Sequence, residues 1–154
     1  MGQVRSLDLS VAATFWDVEE QARPRITPYL YYPNATDAVV FLLDAFGFEE
    51  VSAFRDDEGT VWTATLRYRD GMVMVGPGID GYGTAAIPPG ALATSRMFVL
   101  VDDVDLHHAR AKAAGATIVS ELADHPGGHR QYIAADCGGQ QWIFAQPIAG
   151  PVSL

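Results

Sequence analysis

A chain of 154 residues with 49% hydrophobic and 19% charged residues reads as one globular domain with its own core, not a disordered chain. A net charge of −9 argues against a surface built for phosphate backbones or acidic membranes, and no apolar run approaches the ~20 residues of a membrane span. One cysteine, Cys137, excludes an internal disulfide, and the absence of a basic-then-apolar leader points to a cytoplasmic setting; the sequon Asn34-Ala35-Thr36 is then a chance match.

Residues 1–25 form an N-terminal arm. Ser10 is placed to cap a short helix running to Gln21, with Val11, Phe15, Trp16 and Val18 as its apolar positions, and Pro24 breaks it. The first regular module spans 26–75. Ile26–Tyr32 alternates as a strand, and Ala35–Phe46 carries Ala38, Val39, Leu42, Leu43 and Phe46 at helical spacing before Gly47. Strands follow over Phe48–Arg55, Val61–Tyr68 and Met72–Val75, with turns at Asp56–Gly59 and Arg69–Gly71. The connector 76–95 is rich in Gly and Pro. Its Gly76-Pro77-Gly78-Ile79-Asp80-Gly81 matches the dinucleotide fingerprint in form only, because Pro88-Pro89 prevents the helix that a pyrophosphate needs.

The same order then recurs over 96–147, followed by a tail at 148–154. Arg96–Val101 is a strand, Val104–Ala114 a helix, and Thr117–Leu122, Arg130–Ala135 and Gln141–Gln146 are strands, with a turn at His125–His129. Gly47 and Gly115, Val51 and Val119, and Leu30 and Phe98 are each 68 residues apart, which marks two related modules. The expected fold is therefore α+β: two βαβββ modules whose mixed sheets curl around a pocket.

Each helix must bury its apolar stripe on one face of its sheet. Ile26, Leu30, Ala64, Leu66, Met97, Val99, Val101, Trp142 and Phe144 suit that face, and Trp62 is read as packing under a helix. Thr27, Tyr29, Tyr31, Thr63, Thr65, Arg67, Arg96, Phe98, Leu100, Gln141, Ile143 and Ala145 face away. That second face is aromatic with a few polar anchors, which suits a ligand pocket better than a solvated surface.

The repeat and its wording resemble the vicinal oxygen chelate superfamily of glyoxalase, bleomycin-resistance and ring-cleaving dioxygenase proteins. The likeness covers 26–147. It rests on Ile26-Thr27-Pro28-Tyr29-Leu30, Asp44-Ala45-Phe46-Gly47-Phe48, and Ala64-Thr65-Leu66-Arg67 with Asp70-Gly71. In the second half it rests on Val99-Leu100-Val101-Asp102-Asp103-Val104, Ala113-Ala114-Gly115-Ala116 and Asp136-Cys137-Gly138-Gly139. The resemblance implies four metal-ligand positions, which the repeat places at Thr27, Thr65, Arg96 and Ile143. A divalent metal is ordinarily held there by His, Glu or Gln, and none of these four residues does that work. No metal and no cofactor are therefore expected.

Adjacent His107 and His108 read as a solvated helix surface. His125 and His129 read as a surface turn, with an unusual metal site between them as the sharper alternative. Ligand contacts are assigned to Tyr29, Tyr31, Thr65, Arg67, Arg96, Phe98 and Gln141. Arg67 and Arg96 are the candidates for holding a carboxylate, phenolate or similar anion, and the tyrosines for stacking on a planar ligand. No catalytic residue is assigned. The expected function is a metal-free protein that binds and sequesters a planar or anionic small molecule, such as an antibiotic or other natural product. The alternatives are an isomerase, lyase or cyclase of the same superfamily, metal-free or with relocated ligands from the His125–His129 turn. The resemblance also implies a homodimer, in some relatives with halves exchanged between chains.

Overall fold

The computed structural model describes residues 23–148, so the arm helix expected over Ser10–Gln21 and the end of the tail lie outside the described residues. Among the described residues no helix is long and apolar enough to cross a membrane. The first module runs β1 (Tyr29–Tyr32), α1 (Ala35–Phe46), β2 (Glu49–Arg55), β3 (Val61–Tyr68) and β4 (Gly71–Pro77). The second runs β5 (Arg96–Leu100), α2 (Val104–Ala113), β6 (Thr117–His125), β7 (His129–Ala135) and β8 (Gln141–Pro147). Each module forms a four-stranded mixed sheet, ordered β1-β4-β3-β2 and β5-β8-β7-β6. In both, the first and last strands pair in parallel and the rest run antiparallel.

Local chemistry starts and stops the helices. The Asn34 side chain accepts the Asp37 amide to cap α1, and Asp103 accepts the Leu106 amide to cap α2, both at 3.0 Å. Gly47 then takes a left-handed φ of 79° to end α1 and returns its amide to the Leu42 and Leu43 carbonyls.

Both modules feed one core. Leu66 and Val75 from the first sheet, Leu42 and Phe46 from α1, and Trp142 and Phe144 from the second sheet are fully buried together. Phe46 is the hinge of this packing, with ring centroids 4.7 Å from Phe144 and 5.7 Å from Trp142. Arg110 of α2 reaches the end of α1 and donates to the Asp44 and Leu43 carbonyls, at 2.9 and 3.0 Å. The modules thus meet through their helices and shared aromatics.

Four expectations need correction. The first strand begins at Tyr29, and Ile26 is 86% exposed instead of sitting under α1. Trp62 is 46% exposed, with its indole N–H donated to Asp56, so it does not pack under a helix. His107 is buried, not solvated: Nε2 donates to the Phe46 carbonyl at 2.9 Å, and Nδ1 accepts the Tyr132 hydroxyl at 2.6 Å. Leu30 and Phe98 are not counterparts, since Leu30 is buried under α1 while Phe98 is 55% exposed on the opposite face. The helix caps set the better offset: Asn34 and Asp103 are 69 residues apart, which pairs Tyr29 with Phe98 and Thr27 with Arg96.

From Gly78 to Ser95 the connector has neither strand nor helix. Gly78, the middle glycine of the rejected fingerprint, serves packing: a Cβ there would meet the Ala86 amide nitrogen at 2.7 Å.

Candidate functional site

The faces of the two sheets that point away from the helices carry the predicted ligand residues in two groups. On the first sheet, Tyr29 lies opposite Met74, which lies opposite Thr65. Tyr29 and Tyr31 stack with centroids 4.9 Å apart and planes 17° from parallel. Their arrangement depends on Gly76, because a Cβ there would sit 2.8 Å from the Tyr29 hydroxyl and 3.0 Å from its ring. The freed space lets Tyr29 donate to the Thr63 hydroxyl at 3.0 Å. Thr65 is buried beneath this layer.

On the second sheet Arg96 donates from Nε to Gln141 Oε1 at 2.8 Å, across the β5–β8 pair. Phe98 stands one step along β5, with the His129 ring edge-on to it at 5.7 Å. His129 Nε2 bonds Gln131 Oε1 at 2.7 Å, leaving Nδ1 as its acceptor. The outward positions of β5, β8 and β7 (Arg96, Phe98 and Leu100; Gln141, Ile143 and Ala145; His129, Gln131, Ile133 and Ala135) include no carboxylate. Sequence reading left His129 in a surface turn. The pairing of His129 with Pro147 extends β7 back by one residue and brings its ring onto this face.

A cleft of about 310 Å³ lies between the modules, walled by Pro28, Phe48, Tyr68 and Met72 on one side and by Met97 through Leu100 and Trp142 on the other. It is mainly apolar, and its size suits a small ligand. Of the predicted ligand residues, Phe98 lines it directly. Tyr29, Tyr31, Thr65, Arg96 and Gln141 are not among its lining residues, and Met97, which is, alternates with Arg96 along β5. Thr27, one residue before Pro28, has a buried hydroxyl with no hydrogen-bond partner among the described residues. Arg67 lies elsewhere, lining a second cavity with Tyr68, Arg69 and Arg110 that does not include Arg96.

The strand pairing also corrects the second metal position, Thr65. Ile143 is on β8 opposite Phe98, and its counterpart in the first module is Met74 on β4 opposite Tyr29, in place of Thr65 on β3. The set becomes Thr27, Met74, Arg96 and Ile143: one hydroxyl, one thioether, one hydrocarbon and one permanent cation. These residues do not fit a divalent zinc, nickel, manganese or iron ion. His125 and His129 stack at 4.7 Å and 19°, a face-to-face geometry that does not converge their nitrogens on one ion. Among the described residues, no three His, Cys, Asp or Glu side chains gather to hold a metal.

Residues 24–144 match the Glyoxalase/Bleomycin resistance protein/Dioxygenase superfamily. The chain belongs to this family. An uncharacterized protein of Mycobacterium tuberculosis, Rv0887c, is 30% identical over 81% of this chain and 75% of its own length. TioX from Micromonospora sp. ML1 is similar in structure, at 34% identity and a TM-score of 0.63, over 85% of this chain and 99% of that one. FosX, the fosfomycin resistance protein of Listeria monocytogenes, solved with Mn(II) and sulfate, shares the fold at 13% identity. Its TM-score is 0.61, over 82% of this chain and 91% of that one.

Proposed function

We propose that this family member is a cytoplasmic binding protein that sequesters a planar or anionic small molecule, a natural product such as an antibiotic, without a bound metal. The observation that supports the reading is the stacked Tyr29–Tyr31 pair, given room by Gly76, on the outward face of one sheet, with the Arg96–Gln141 pair on the outward face of the other. Stacked phenols supply a flat apolar wall, and the guanidinium supplies a directional contact for a carboxylate or phenolate. The residues at the ligand positions of metal-dependent relatives support chemistry without a metal.

The binding unit in this reading is a homodimer. Phe98 is 55% and Leu100 59% exposed beside the cleft, and a second copy laid over β5 would bury them. The test combines three measurements on purified protein. Elemental analysis after incubation with zinc, nickel, manganese and iron(II), followed by dialysis, should find no stoichiometric metal, and light scattering should give a mass of two chains. Equilibrium dialysis with planar aromatic acids should then show saturable binding that Arg96→Gln weakens. Retained metal, or indifference to Arg96→Gln, would sink the reading.

His129 favours a second reading. Its Nδ1 is an acceptor with no partner among the described residues, beside Phe98, so a metal-free isomerase, lyase or cyclase would have a general base on this face. Product formation from a bound ligand, lost in His129→Gln, would decide for it.

A further inference from the structure

The second cavity, about 420 Å³ at the far end of β3, is lined by Phe46, Gly47, Glu49, Arg67, Tyr68, Arg69, His107 and Arg110. Three arginines around one cavity stand out in a chain of net charge −9. Arg67 is half-buried, and its guanidinium has neither an ion pair nor a hydrogen bond among the described residues. Arg110 uses its Nε and one terminal nitrogen on the α1 carbonyls, which leaves three of its five N–H groups. Gly47 makes room for that guanidinium, since a Cβ there would come within 3.0 Å of it. Arg69 pairs with Asp102 at the surface, a contact worth little in water, and reaches the Tyr68 hydroxyl.

We propose that Arg67, Arg69 and Arg110 form a second binding site, adjoining the inter-module cleft through the shared wall of Tyr68 and Arg69, for a small anion bearing a carboxylate or phosphate group. Arg67 presents an unused fork to the cavity, and Arg110 presents the rest of its own from the opposite wall. Tyr68 stays a neutral phenol at this wall, because burial raises its pKa more than the adjacent Arg69 and Arg110 lower it, so it adds a donor. His107 adds none, since both its nitrogens are engaged. Glu49 is the only carboxylate in the lining and sits opposite Arg67 across β2 and β3. It is the internal competitor for the site.

The test is an amide-resolved NMR titration with inorganic phosphate and, separately, with benzoate. Saturable shifts at Gly47, Tyr68, His107 and Arg110 are expected, and whichever probe produces them identifies the anion class. Arg67→Gln should raise the apparent Kd at least about five-fold through loss of a bidentate contact. Glu49→Gln should lower it, and this variant keeps the test alive if Arg67→Gln folds poorly. Failure of both probes, shifts centred on Arg96 and Gln141, or an unchanged Kd in Arg67→Gln would each overturn the proposal. Gly47, His107 and Arg110 line this cavity and not the cleft, so their shifts separate the two sites, whereas Tyr68 walls both.

Discussion

The Tyr32 hydroxyl, at the end of β1, donates to Asp136 Oδ2 at 2.5 Å in the turn before β8, joining residues from the two modules. The same oxygen accepts the Trp142 indole at 2.9 Å, while Oδ1 takes the Gly138 and Gln140 amides. Burial pushes the Asp136 carboxyl above the ordinary carboxylate range, and these four donors pull against that shift. Tyr32→Phe leaves a buried acceptor short of a donor, with an expected loss of about 1–3 kcal/mol in urea unfolding. An unchanged midpoint would mean that this hydrogen bond adds nothing to the apolar packing and to the Arg110 and His107 contacts that also join the modules.

Gly138→Ala attacks the same joint sterically. Its new Cβ would enter the Tyr32 ring, which is buried and has no room to retreat. A loss of about 1–3 kcal/mol follows from overpacking, read as a lower thermal midpoint. Together with Tyr32→Phe the two effects should fall short of additive, because both act on one contact.

His107 makes stability depend on pH. Burial chiefly, and the Arg110 charge, hold its pKa below the usual 6.5, while the Phe46 carbonyl pulls the other way. The unfolded chain then binds a proton below about pH 6.5 that the folded chain refuses, so stability falls as pH drops through that value. Urea melts from pH 7.5 to 5.5 should show the decline, and His107→Gln should flatten it. An equal slope in the variant would assign the effect to another group.

Cys137 should react slowly. Its thiol is pushed up to about 11, by partial burial first and then by neighbouring Asp136. The thiolate fraction near neutral pH is then about 100-fold below that of an ordinary thiol, and alkylation slows in proportion. Rapid labelling at pH 7.5 would instead mark a reactive site.

Much of this arrangement was legible in the residues. α1 and β3 have the predicted bounds because their apolar spacing is regular and their ends carry Asn34, Gly47 and the Arg69–Gly71 turn. The errors fall where tertiary packing overrides local pattern. α2 has little apolar stripe of its own, so nothing in its spacing shows that His107 turns inward to meet Phe46, 61 residues away. Ile26 alternates like a strand residue, yet regular pairing begins only at Tyr29, after Pro28, which offers its carbonyl to the Met74 amide but has no N–H to return. The aromatic face was readable from alternation. Assigning Arg67 and Arg110 to one cavity needed the fold, since they lie on a strand of one module and a helix of the other.

In the proposed binding role, the Tyr29–Tyr31 stack implies a kinetic signature for ligand capture. Each ring already rests against the other, and Tyr29 is tethered to Thr63 besides. A guest sliding onto them freezes few new rotamers, so the ordering entropy is spent in folding and not on arrival. Related guests should therefore associate at nearly one speed and differ in how long they stay. Loosening the pair, as Gly76→Ala would, should shorten residence before it slows capture.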